Sequence, residues 1–142
     1  MVTTLTLDLI PEPMSAPQAR AAIREFLTTA WTGADIESFT ARIDDALLVT
    51  TELVSNAIRH GSGHVLLHAA ADVVQGQPTV CLECHDDGEW VGSLVSRSTF
   101  SPADPFDQID DGGRGLLIIQ ALCSEVVISH DQPGSLVRAR IP

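Results

Sequence analysis

Leu5, Leu7 and Leu9 alternate with Thr4, Thr6 and Asp8. A period of two predicts a strand over residues 4–10 with one face buried. Pro11 and Pro13 stop it, since proline cannot donate to a strand ladder. The spacing then shifts to three and four. Ala19, Ala22, Ile23, Phe26, Leu27 and Ala30 form one stripe, a helix with Ser15 as its N-cap, Pro17 near its first turn and Gly33 past its end. A longer stripe of Ile43, Ala46, Leu47, Thr50, Leu53, Val54, Ala57 and Ile58 predicts a second helix over 38–60, closed by Gly61. Residues 64–72 and 78–85 return to strand patterning around Gln75-Gly76-Gln77. Residues 88–112 have no period and hold Gly92, Pro102, Pro105 and four Asp between Asp104 and Asp111. An irregular stretch of that length is expected to be a lid over a site or a disordered segment. A third helix follows from near Gly113, carrying Leu116, Leu117, Ile119, Gln120 and Leu122. Strands over 126–129 and 136–141 close the chain, with Gln132-Pro133-Gly134 as their turn.

The order β-α-α-β-β-lid-α-β-β lacks the strict alternation of a doubly wound nucleotide fold. It predicts an α+β two-layer sandwich, a mixed sheet with its helices on one face, in a single domain over 1–142. A length of 142 residues and 44% hydrophobic composition suit one globular core. The net charge of −11 argues against direct nucleic-acid binding and against an anionic membrane surface. All eight basic residues are Arg. A chain without Lys cannot build a Walker-type P-loop, a Schiff base or the strand lysine of ordinary protein kinases. Phosphate chemistry, if present, must rest on a metal ion, backbone N–H groups and Arg. Three Cys make a poor disulfide framework, and the N-terminus lacks the basic region of a signal peptide. No run reaches the ~18 apolar residues of a membrane span. A cytoplasmic location is the expectation.

Glu52, Asn56 and Arg59 fall at i, i+4 and i+7 on the second helix, beside its apolar stripe. An Asn amide oxygen suits Mg²⁺, and a Glu one turn earlier can act as a base near that metal. The same pair also fits a solvated polar face. Asp86-Asp87-Gly88 ends a strand, where a carboxylate can accept a hydrogen bond from an exocyclic amine, or simply form a turn. Gly112-Gly113-Arg114-Gly115-Leu116 opens the third helix, where backbone N–H groups and the helix dipole attract an anion. A loop–helix junction needing positive φ gives the same pattern. Cys81 and Cys84 form a C-x-x-C on a strand, so they point to opposite faces and are expected to be inert thiols. His60, His64 and His68 are spaced by four, but Gly61-Ser62-Gly63 interrupts the helix between them.

Taken in order, these segments resemble the ATP-binding domain shared by gyrase, Hsp90, sensor histidine kinases and MutL, a Bergerat-type fold. The branch most alike is that of the stand-alone anti-sigma-factor serine/threonine kinases. Residues 51–61, Thr-Glu-Leu-Val-Ser-Asn-Ala-Ile-Arg-His-Gly, resemble its N-box, E-L-V-x-N-A-x-x-H-G. Asp86-Asp87-Gly88 is similar to the start of its first glycine box, D-x-G-x-G. Gly113-Arg114-Gly115-Leu116 resembles the second, and Gly134-Ser135-Leu136-Val137 the terminal G-T segment. The resemblance spans essentially the whole chain. It implies that Glu52 is the general base, that Asn56 is the Mg²⁺ ligand, and that Asp86 binds the adenine amine of ATP with Gly88 beside the base. It further implies that Gly113, Gly115 and Leu116 lie along the phosphates and that Ser135 stands at the nucleotide; Arg114 is our own addition there, as a neutralising charge. The implied partners are an anti-anti-sigma protein and a sigma factor, and a homodimer is compatible. One departure stands out: Trp90 replaces the second glycine of the first box. An intact Glu52 favours a kinase, whereas the altered box favours a nucleotide-binding interaction module without phosphoryl transfer. A sensor histidine kinase is the less expected branch, since these 142 residues leave no room for its phosphoacceptor hairpin.

Overall fold

The computed structural model describes residues 1–60, 63–87, 111–129 and 135–142. Strand β1 (Thr3–Leu9) leads into helices α1 (Ser15–Ala30) and α2 (Ile36–His60). Strands β2 (Val65–Val74) and β3 (Gln77–Asp86) follow. Helix α3 (Asp111–Leu122) and strands β4 (Glu125–Ser129) and β5 (Ser135–Ile141) complete the chain. The expected lid over 88–112, with Gly88 and Trp90, falls outside the described residues except at its last two positions. So does the Gln132-Pro133-Gly134 turn.

The five strands form one sheet in the order β1-β2-β3-β5-β4. Its inner face is built by the period of two: Val65, Leu67, Ala69 and Ala71 on β2, Val80, Leu82 and Cys84 on β3, and Val137, Ala139 and Ile141 on β5 are all buried. Helix α2 lies over β2, β3 and β5, with α1 over β1 and β2 and α3 beside α2 and β4. Thr6, Leu66, His85, Arg138 and Val127 are exposed on the opposite face. The architecture is therefore the expected α+β two-layer sandwich.

The sheet is antiparallel at each of its four pairings, not mixed. The connections explain this. Two helices between β1 and β2 mean three reversals of the chain, so β2 returns antiparallel to β1. A single helix, α3, makes β3 and β4 run the same way, but β5 inserts between them and turns both contacts antiparallel.

Two helix starts also differ from expectation. Ser15 is not the cap of α1: Met14 holds that position without a side-chain bond. Ser15 is buried, and its hydroxyl donates to the Ile10 carbonyl, tying the helix back to the end of β1. Helix α2 begins two residues before Ser38 because Asp35 caps it. The Asp35 carboxylate accepts bonds from the Ser38 amide at 3.3 Å and the Ser38 hydroxyl at 3.1 Å. The β2–β3 hairpin turns on Gln75 (φ 53°) and Gly76 (φ 78°), two consecutive left-handed residues as a two-residue turn requires. The Gly76 carbonyl accepts the Asp35 amide at 2.8 Å, fastening the hairpin to the α1–α2 connection.

Candidate functional site

Helix α2 carries Glu52 and Asn56 one turn apart, and the two differ in depth. Glu52 is half-buried, while Asn56 is 1% exposed. Neither Nδ2 nor Oδ1 of Asn56 has a hydrogen-bond partner among the described residues. An orphaned buried amide costs about 1–3 kcal/mol per unsatisfied group. The neighbouring buried Thr50 avoids this by donating its hydroxyl to the Ala46 carbonyl at 2.8 Å. Asn56, by contrast, keeps an acceptor and a donor free inside the fold. Arg59, one turn further on, is exposed.

At the same end of the molecule, β3 delivers Asp86 to the inner face. Alternation along Val80, Leu82, Cys84 and Asp86 places a carboxylate where the strand's period calls for a core residue, and Asp86 is 4% exposed. Ser135 of β5 is its register partner, so the two expected nucleotide-contacting positions stand side by side across one strand pair. Burial pushes the adjacent Cys84 thiol up to about 12, and the charge of Asp86 adds to that rise.

Helix α3 starts at Asp111, two residues before the expected start. Gly113, Arg114, Gly115 and Leu116 therefore lie in its first two turns. There the leading backbone N–H groups have no intrahelical acceptor. Ile119, two turns into α3, is fully buried and sits against the core that α2 covers. The structure thus brings the N-box helix, the end of β3, the start of β5 and α3 into one assembly, as their order in the sequence does not require.

The other candidates separate from this cluster. Cys81 is half-buried on the outer face and Cys84 is buried on the inner face, as their spacing on a strand dictates. Burial raises the Cys81 thiol as well. His64 pairs with Asp8 at 2.9 Å, and His68 meets the Thr6 hydroxyl at 2.8 Å, both on the outer face. One close approach was not anticipated from the sequence. Gly63, just after α2, lies directly against the side chain of Asp87, just after Asp86. The only signal for it is the glycine itself.

A model of the histidine kinase-like ATPase domain family matches residues 12–141. The chain belongs to this family. The match takes in both α2 and β5, so every residue brought together above lies within the ATPase domain. No match was found among curated proteins. Among the described residues of the ATPase domain, no helix is long and apolar enough to cross a membrane.

The orphaned amide of Asn56 tests whether this domain fits a metal–nucleotide ligand. A hard, neutral oxygen acceptor, buried and unspent, suits Mg²⁺ held jointly with phosphate oxygens. The donor set fits.

Proposed function

We propose that this ATPase domain binds Mg²⁺-ATP and transfers its γ-phosphoryl group to a Ser or Thr of an anti-anti-sigma partner, so regulating a sigma factor. The observation that carries the nucleotide reading is Asn56, whose buried side chain spends neither its donor nor its acceptor within the described fold. Asp86, buried and opposite Ser135, supports a base-recognising wall. The ordered motifs supply the kinase and partner assignments.

In this reading Asn56 holds Mg²⁺, which when bound neutralises charge on the β- and γ-phosphates. Asp86 accepts a hydrogen bond from the adenine amine. The first turns of α3 offer backbone N–H groups to the phosphates, with Arg114 nearby in sequence. Glu52 takes the proton from the partner's hydroxyl as its oxygen bonds to the γ-phosphorus. The bond from that phosphorus to the β–γ bridging oxygen breaks, and ADP departs. Glu52 then returns its proton to solvent.

The test uses radiolabelled ATP with candidate anti-anti-sigma proteins. Wild type labels a partner, and Glu52→Gln, which keeps size but loses basicity, labels it about 10²–10⁴-fold more slowly while binding ATP nearly as well. Equal rates would remove Glu52 from the chemistry. Trp90, in place of a glycine of the first box, favours the second reading, a nucleotide-binding interaction module. That reading gains if both proteins bind ATP and a sigma factor yet neither transfers phosphate. Trp90→Gly is then tried for restored transfer.

A further inference from the structure

Asp86 and Asn56 sit on different elements, and a site built from both works only if the two elements keep a fixed spacing. Among the described residues, a close approach joins the segments that follow these elements. Gly63 follows α2 and leads into β2, and Asp87 follows Asp86 at the end of β3. The side chain of Asp87 fills the space that a Cβ on Gly63 would need. A Cβ at position 63 would stand 2.9 Å from the Asp87 Cβ and 3.0 Å from its Cγ, closer than atoms tolerate, and closer still to Oδ2. Gly63 also has φ +70°, a conformation that side chains other than glycine rarely adopt. Two independent features therefore require glycine there, and one of them is Asp87 itself. The strand register accounts for the meeting: continued beyond the pair Leu66 and His85, it sets Asp87 opposite His64, the chain neighbour of Gly63. On the far side of the same corner, His64 is held to β1 by its 2.9 Å contact with Asp8. The segment leaving α2 is thus gripped from both neighbouring strands.

We infer that Asp87 is a positioning residue for nucleotide recognition: its side chain, seated on Gly63, fixes the end of β3 against the segment leaving α2 and so holds Asp86 in place for the base. This rests on the nucleotide reading given above, in which Asp86 meets adenine. Asp87 is itself exposed and touches no ligand in this scheme. Its effect should appear in base discrimination more than in overall stability.

The experiment compares ATP and GTP affinities by calorimetry for the full chain, Asp87→Ala, Asp87→Asn and Gly63→Ala, with thermal melts and hydrogen exchange of the nucleotide-free proteins. Asp87→Ala is expected to weaken ATP binding by about three- to tenfold, a usual size for coupling between neighbouring residues. It is expected to narrow the preference for ATP over GTP. Asp87→Asn, of the same shape, restores both. Gly63→Ala weakens ATP binding as well, and combining it with Asp87→Ala costs less than the sum of the two. Faster exchange at Val65 and Leu66 in nucleotide-free Asp87→Ala shows the loosened corner without any ligand. If wild type binds ATP and Asp87→Ala retains its affinity, base preference and exchange rates, the positioning role is overturned. If wild type does not bind ATP, the nucleotide reading fails, and the role in recognition fails with it.

Discussion

At the scale of single residues, the informative side chains are those whose chemistry conflicts with their depth. Asn56 is a polar amide without a described partner at 1% exposure. Asn56→Leu fills similar volume and removes the orphaned groups, so the nucleotide-free protein should gain about 1–3 kcal/mol in urea unfolding while losing Mg²⁺-ATP binding. A loss of stability instead would show that the amide is satisfied within the fold. The cysteines make a second case. Cys84 and Cys123 are both pushed up to about 12, by burial first and by Asp86 and Asp45 respectively after it. A thiol raised above its ordinary 9.0 favours the folded state fully below pH 9 and loses that contribution as pH rises toward 12. Cys84→Val should therefore flatten the alkaline fall in melting temperature, and native wild type should alkylate slowly at neutral pH. Of this, the helix position of Asn56 was legible in the sequence. Its isolation was not, because a one-dimensional spacing does not say which polar groups surround a side chain.

At the scale of elements, local chemistry decided most boundaries and a few contacts shifted them. The period of two placed β1, β2, β3 and β5 to within two residues, and the longer stripes placed α1 and α2. Helix α2 starts at Ile36 because the Asp35 carboxylate caps it, a signal present in the sequence as Asp followed by Ser three residues on. Ser15 read as a cap, yet its burial against Ile10 made its hydroxyl a tie between elements. The hairpin gives a prediction at this scale. Gln75 occupies a left-handed conformation that costs a residue with a long side chain, and Asn adopts it more easily. Gln75→Asn, creating the Asn-Gly pair favoured in such turns, should raise stability by up to about 1 kcal/mol in denaturant unfolding.

At the scale of the whole molecule, the helix layer and the sheet are joined by a continuous buried core. Trp31, at the end of α1, spans both layers. It is 2% exposed, donates its indole N–H to the Thr79 carbonyl at 3.0 Å, and meets Phe39 edge-on at 5.9 Å. Trp31→Ala should cost about 3–5 kcal/mol, a large share of the 5–15 kcal/mol typical of a domain. Thermal melts read this as a marked fall in midpoint, with the α1–α2 pair loosened from β3. Nucleotide acts on the same balance in the opposite direction. A ligand at about 100 times its dissociation constant adds about 2.7 kcal/mol to the folded state. Millimolar ATP with Mg²⁺ should thus raise the melting temperature by several degrees, and chelating the metal should reverse most of that gain. No shift under either condition would count against nucleotide binding.

The sequence by itself determined the kinds of elements, their order, the inner face of each strand and the succession of motifs, because hydrophobic period and turn chemistry are local properties. It also placed Glu52 and Asn56 on one helix, since four residues make about one turn. Only the tertiary structure decided that the far half of the sheet is antiparallel throughout, because that depends on β5 inserting between β3 and β4. It alone set Asp86 beside Ser135, 49 positions later in the chain, by strand register. It alone brought Asp87 down onto Gly63, since a close approach between two chain segments follows from packing, and packing is settled only when all the layers are in place.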